Sequence, residues 1–501
     1  MTVADRECSR RWERSVDELD IPTREPKTSP SPTIIGDTKA DDTPAVVTAV
    51  DTGKVGRDKH LYQLDLVRLI TFGAVILDHV VMGASNPANA VAGGVELTVR
   101  YSRYGFFFLT GFVLGYQYRN RELKPIEFWR RRFKLIGIPY VTWSIFYWVY
   151  SRYRAGGTDA LRDTVNSADH IVLSLKSFAY DLVTGNAWYH LYFLFVSMQI
   201  YLVFPLVLIV LKRTWGYHRY LLALSFAAHM ALLYFMVRPQ SGFIVEGPQG
   251  VIWSHLLITI LPYQFFVLAG IVAALHFEKA HAFTVRWRKA IFSIGLIVLA
   301  ATLVYFAHKV DVGEEMFRAT NVFMPHNAFA YVATIAMLYG LGSMWRERRR
   351  PGSRADTFLR TAADRSFGIY LAHALALNEL QPAINDHRAD PTWLVALIGY
   401  LATVALTVFI VEVLRRSPIS LMTTGRNMVS WKDQTPLRSI VVGVVAVALG
   451  VILRGGFGLL AGDLISITGA LLVVSAALVF WRRRSLVESA EAPESAESTR
   501  V

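Results

Sequence analysis

Leu64-Asp65-Leu66-Val67-Arg68-Leu69-Ile70-Thr71-Phe72-Gly73-Ala74-Val75-Ile76-Leu77-Asp78-His79-Val80-Val81-Met82-Gly83 is an apolar segment that carries four ionisable side chains. About 20 apolar residues in helical form cross a hydrocarbon layer ~30 Å thick. Ionisable groups at such depth are costly and need partners or a purpose. At about 100° per residue, the step from Arg68 to His79 overshoots three full turns by only ~20° and rises ~16.5 Å. The guanidinium and the imidazole therefore share one face of the helix, far apart along it. Asp65, three residues before Arg68, is placed to form an ion pair with it.

Comparable runs occur at 104–118, 135–150, 189–211, 220–237, 256–275, 290–307, 327–345, 366–380 and 392–414. Two more, 439–453 and 458–481, are separated by Arg454-Gly455-Gly456, and the first is short enough to leave a re-entrant segment as an alternative. The sequence thus predicts an all-α, polytopic transmembrane helix bundle of ten to twelve helices. Composition agrees: 53% of the residues are hydrophobic and only 18% are charged, against about a quarter in soluble domains. With Cys8 as its one cysteine, the chain has no internal disulfide.

The net charge of +13 fits nucleic acid, anionic lipid or membrane topology, and the placement of the cations decides. Loops 119–134, 212–219, 277–289, 346–365 and 415–438 hold 26 Lys and Arg, whereas the alternating connections hold 11. The positive-inside rule then puts the first set in the cytosol, together with both termini. A multi-pass protein of the cell membrane is expected, with no nucleic-acid partner; the oligomeric state is not legible. Residues 1–59 read as a disordered cytosolic tail, 60–416 as the membrane domain, 417–484 as a linker with two additional helices, and 485–501 as a second disordered tail.

Further motifs give the pattern a family likeness. Ten residues separate Arg68 from His79 in the first span, and Gly105-Phe106-Phe107-Phe108-Leu109-Thr110-Gly111-Phe112 follows in the second. A basic run, Phe128-Trp129-Arg130-Arg131-Arg132-Phe133-Lys134, precedes Pro139-Tyr140. Later come Trp188-Tyr189-His190-Leu191-Tyr192-Phe193-Leu194 and Ser366-Phe367-Gly368-Ile369-Tyr370-Leu371-Ala372-His373. In order and spacing these resemble the acyltransferase family 3 membrane proteins. Thr110 stands where that family carries serine, and Lys134 where it carries a second arginine. The resemblance implies a ten-helix core, to which the last two helices are an addition. It also implies transfer of an acyl group, most often acetyl, from a cytosolic thioester such as acetyl-coenzyme A to a hydroxyl of an envelope glycan or glycolipid.

The residues suit that chemistry. A hydroxyl needs a base to take its proton, and imidazole titrates nearest neutrality. His79 is the candidate base or transient acyl carrier, with Asp78 or another acceptor to fix its tautomer. Arg68, supported by Asp65, is suited to donor phosphate or developing charge. Arg131, Arg132 and Lys134 are candidates for the coenzyme A phosphates, although basic cytosolic loops also arise for topology alone. Trp188, His190, Tyr370 and His373 are candidates for the acceptor pocket. No Cys/His cluster suggests a metal, and no bound cofactor is expected beyond acyl-CoA as co-substrate. Two other readings fit twelve spans with intramembrane charge: a secondary transporter or flippase, and a scaffold that has lost catalysis. The absence of an internal repeat opposes the first, and the intact Arg68 and His79 oppose the second.

Overall fold

Backbone buried in lipid must satisfy its own hydrogen bonds, which leaves helices as the solution for single apolar segments. The computed structural model describes residues 60–238, 246–386 and 392–491, and among them all regular structure is helical. The predicted tail at 1–59 lies outside the described residues. In chain order the helices are α1 (Tyr62–Ala84), α2 (Ala90–Val99), α3 (Tyr101–Tyr118), α4 (Pro125–Asp163), α5 (Ala168–Thr184) and α6 (Tyr192–Arg213). There follow α7 (His218–Met236), α8 (Gly247–Ser254), α9 (Gln264–Leu275), α10 (Phe277–Arg286), α11 (Arg288–Asp311) and α12 (Met316–Ala319). The last are α13 (Asn327–Arg348), α14 (Arg354–Asp386), α15 (Thr392–Arg416), α16 (Ser420–Thr424), α17 (Pro436–Phe457) and α18 (Ala461–Glu491).

Eight helices among the described residues are long and apolar enough to cross a membrane, or nine if a bent pair counts as one span. That is fewer than the ten to twelve expected, and the difference lies in α3, α4 and α14. Each is helical where a span was predicted, but each is too polar to pass on apolarity. For α3 and α14 the reason is position: α14 is buried almost continuously from Tyr370 to Leu377, and α3 along much of its length, so they face protein, where polar groups are tolerated; α4 instead keeps Ile138, Val141, Ile145 and Val149 exposed among its aromatic residues. The run at 256–275 is also not a straight span. Short 3-10 turns at Leu256–Ile258 and Leu261–Tyr263 precede α9, and the chain bends by 95° into α10. Pro262 supplies no backbone N–H to a helix continuing through it.

Two boundaries move. α17 has 22 residues and continues through Arg454-Gly455-Gly456 to Phe457, so it is long enough to cross and the re-entrant alternative falls. α18 runs on to Glu491, into the segment expected to be a disordered tail. The basic run at 128–134 belongs to the first turns of α4 and not to a loop.

α1 is the spine, packed against α13, α14 and α15. The aromatic-glycine motif explains the neighbouring pair α3 and α9: a Cβ on Gly111 would lie 2.2 Å from the Val267 carbonyl oxygen, and one on Gly270 2.1 Å from that of Phe108. Only hydrogen at both positions lets the two backbones touch. Thr110, in the serine position of the motif, bonds back to the Phe106 carbonyl (2.9 Å). The cation-rich connections gather at one end of the bundle. Arg119 meets Glu278 (2.9 Å), Arg288 meets Glu347 (3.0 Å), and Lys212 reaches the carbonyl of Arg121 (3.4 Å). Arg68 lies toward that end of α1 and His79 toward the other.

Candidate active site

An unbroken α1 carries both ends of the site, and helical rise separates Arg68 from His79 by ~16.5 Å. Near the far end, Asp78 pairs with Arg100 (3.3 Å), which also holds Glu96 (2.7 Å) and the backbone oxygen of Thr320. One guanidinium thus ties α1, α2 and the segment after α12 together. Asp78 is engaged there, so it does not fix the tautomer of His79 as the sequence had suggested.

His79 instead meets rings from two other elements. Tyr189 lies edge-on at 4.8 Å between centroids, and His373 of α14 stacks at 5.7 Å with the planes 17° apart. His190 completes the group, 5.2 Å from His373. The Nδ1–H of His373 donates to the Tyr370 carbonyl (2.6 Å), which leaves Nε2 as the acceptor nitrogen. That Nε2 and both ring nitrogens of His190 are buried without a hydrogen-bond partner among the described residues. Orphaned polar atoms cost about 1–3 kcal/mol each, and a catalytic role is one of the recognised reasons to keep them. The Tyr370 hydroxyl donates to the backbone oxygen of His190 (2.5 Å), fixing the two chain segments in register. Trp188 stacks on Tyr147 (5.1 Å), whose hydroxyl donates to Leu371 (2.8 Å).

A cavity of about 670 Å³ opens onto this group, with Asp78, His79, Glu96, Arg100 and Arg103 in its wall. A smaller one of about 70 Å³ shares His79 and Arg103 and reaches His190 and Tyr370. Arg103 is a residue that sequence reading missed. It sits 5.5 Å from the ring centroids of both Tyr192 and Phe323. It and Arg100 were counted as loop cations. Their presence on the cation-poor side was the available signal.

The small cavity ends on aromatic rings. Phe72, Phe106, Phe193 and Tyr370 pack together, at 4.4 Å for Phe72 with Phe106, 5.5 Å for Phe106 with Phe193 and 5.3 Å for Phe193 with Tyr370. This plug stands between the His79 end and the Arg68 end.

At the Arg68 end the expected Asp65–Arg68 ion pair is absent. Asp65 bonds the His60 ring (2.6 Å). His60 stands just before α1, where the chain brings it back over the first turn. Arg68 has no hydrogen bond and no ion pair among the described residues, although the Asp65 carboxylate, beyond ion-pair distance, still lies within its electrostatic reach, as do Arg426 and Tyr201. Of the basic run, only Arg132 turns inward, over the rings of Phe128 and Tyr201 (5.8 Å each) with a bond to Gln117. Arg131 and Lys134 are exposed.

A family profile described as an acyltransferase domain, that of acyltransferase family 3, matches residues 61–412. The chain belongs to this family. Comparison with curated proteins and with solved structures yields no match. The acyltransferase therefore carries the family domain from the start of α1 to near the end of α15, and the segment from residue 413 onward, with α16, α17 and α18, lies beyond it.

Proposed function

We propose that this acyltransferase moves an acyl group, acetyl in the simplest case, from a cytosolic acyl-CoA to a hydroxyl of a cell-envelope glycan or glycolipid. The observation that carries the reading is the position of His79, which opens onto the larger cavity on one side and stacks on His373 on the other. The cation-rich end, with Arg68, corresponds to the cytosol by the positive-inside rule. The donor phosphates bind there, and the acceptor occupies the cavity at the far end.

In the proposed reaction the imidazole of His79 accepts the proton of the acceptor hydroxyl as its oxygen attacks the thioester carbonyl. The C–S bond breaks, the acyl C–O bond remains, and the imidazolium returns its proton to the leaving thiolate. Arg103, beside His79 in both cavities, is placed to offset negative charge on the carbonyl oxygen. Because Arg68 and His79 are ~16.5 Å apart, the acyl-bearing arm of the donor must part the aromatic plug to bring its carbonyl to the imidazole. Membranes containing wild type or His79→Ala, given radiolabelled acetyl-CoA and then fractionated into lipid and polysaccharide, test this. Label in an envelope fraction with wild type alone supports the proposal; equal labelling by the variant refutes it.

A further inference from the structure

The larger cavity beside His79 continues into a second one. Met236, Val237, Phe317 and Asn321 line both it and a neighbouring cavity of about 730 Å³, so the two meet along one ridge. The second is framed by the end of α7, the end of α11, α12 and the chain leading into α13. The connections after α7 and α11 belong to the cation-poor side, away from the cytosol by the positive-inside rule. Either cavity alone has the size that encloses a small ligand, about 300–1,000 Å³. Two in series suit an elongated molecule of several rings, with its reacting end at His79.

The ridge offers a surface for such rings. Phe317 stands there with 82% of its surface exposed, the most of any large apolar side chain among the described residues. The π face of an aromatic ring is negative, and it stacks on the weakly positive C–H face of a sugar. Asn321, on the same ridge, accepts from the Phe323 amide through Oδ1 (2.9 Å), which leaves its Nδ2 donors for a ligand. Beyond the ridge the wall carries three cations, Arg238, Lys309 and Arg318, against one carboxylate, Glu314, among the described residues. Lys309 pairs with Glu314. Arg318 is exposed and follows Phe317 directly on α12. Surplus positive charge in a concave wall draws anions into it, and a guanidinium fork receives a carboxylate or phosphate through two parallel hydrogen bonds.

We infer that the acceptor is an anionic saccharide: the sugar next to the acylated hydroxyl lies over Phe317, and its carboxylate or phosphate is received in the second cavity by Arg318. This rests on the acyl transfer proposed at His79 and narrows its acceptor class. A neutral glycan leaves the basic wall without a counter-ion, and a phospholipid without sugar rings has nothing to lay on Phe317.

The test uses the purified full-length protein in nanodiscs, radiolabelled acetyl-CoA, and saccharide from the envelope, free and lipid-linked, split by anion exchange into neutral and anionic pools. Wild type is expected to label the anionic pool about tenfold faster than the neutral one at equal sugar concentration, and Arg318→Gln to raise KM for the anionic pool about five- to tenfold with kcat nearly unchanged, the loss of one partly exposed charge-assisted contact. Phe317→Ala should raise KM similarly, and Phe317→Tyr should restore it. Arg162→Gln, at an exposed cation of α4 outside both cavities, should alter neither constant. Reducing the carboxyl groups of the anionic pool, or stripping its phosphates, identifies the anion by which treatment abolishes the preference. A preference that survives both treatments overturns the inference. So does labelling of the neutral pool alone, or an unchanged KM for Arg318→Gln, which would make Phe317 and Arg318 anchors at the membrane surface. Acyl transfer at His79 stands in each of those cases. Absence of label from both pools with wild type overturns the two readings together.

Discussion

The imidazoles of His79 and His373 stack at 5.7 Å between centroids and 17° between planes, joining the first helix of the domain to one encoded almost 300 residues later. His373 is oriented by its bond to the Tyr370 carbonyl, so its unpartnered Nε2 is the acceptor nitrogen of a ring that cannot easily turn. Replacing His79 by Ala should lower acyl transfer by about 10²–10⁴, the usual worth of a general base. His373→Ala should cost about tenfold to a hundredfold through loss of positioning, with coenzyme A binding unchanged. Radiolabel transfer and donor binding measured on the same preparations check both.

Arg100 is held by Asp78 and Glu96 and bonds the Thr320 backbone. Arg100→Gln should leave two half-buried carboxylates without a cation and lower stability by about 2 kcal/mol. Adding Asp78→Asn should recover part of the loss. Thermal melting of the single and double variants in one detergent reads the difference; equal melting of all forms would show that the tie contributes nothing.

The contact of α3 with α9 has no room for a methyl group at Gly270, whose Cβ would sit 2.1 Å from a carbonyl oxygen. Gly270→Ala should therefore force the helices apart, at about 3 kcal/mol or more. Reduced yield of folded protein and a lowered melting temperature are the expected outcomes, with Gly216→Ala, where a Cβ meets nothing within 4 Å, as the neutral comparison.

Phe106 lies in the plug and lines the small cavity beside His79. Phe106→Ala should leave a hole costing about 3–5 kcal/mol and admit water to the thioester. The ratio of free acetate to acylated acceptor should then rise. A variant that slows both products equally would argue that the ring only packs.

Much of this arrangement was legible because apolar runs and ionisable interruptions are local signals. His79, His190, Tyr370 and His373 stood in recognisable motifs, and the structure brings all four together. That Asp65 bonds His60 and not Arg68 was not legible, because Arg68 is the nearest cation on its own helix and His60 precedes that helix. Arg103 was passed over because it was counted with the loop before the predicted second span, and its value comes from Tyr192 and Phe323, both distant in sequence. α14 reads as a span, and its burial from Tyr370 to Leu377 is set by neighbouring helices that its own sequence does not show. Partners supplied by other helices leave no trace in the periodicity of the one that receives them.

Four rings drawn from α1, α3, α6 and α14 pack together beside the small cavity, around Phe72, which lies between Arg68 and His79 on α1. A bilayer that stores an ion gradient is short-circuited by any continuous wet passage, however narrow. Under the proposed transfer, rings packed in this way would part only for the acyl-bearing arm, so that the stored electrical and proton energy of the cell stays where it is.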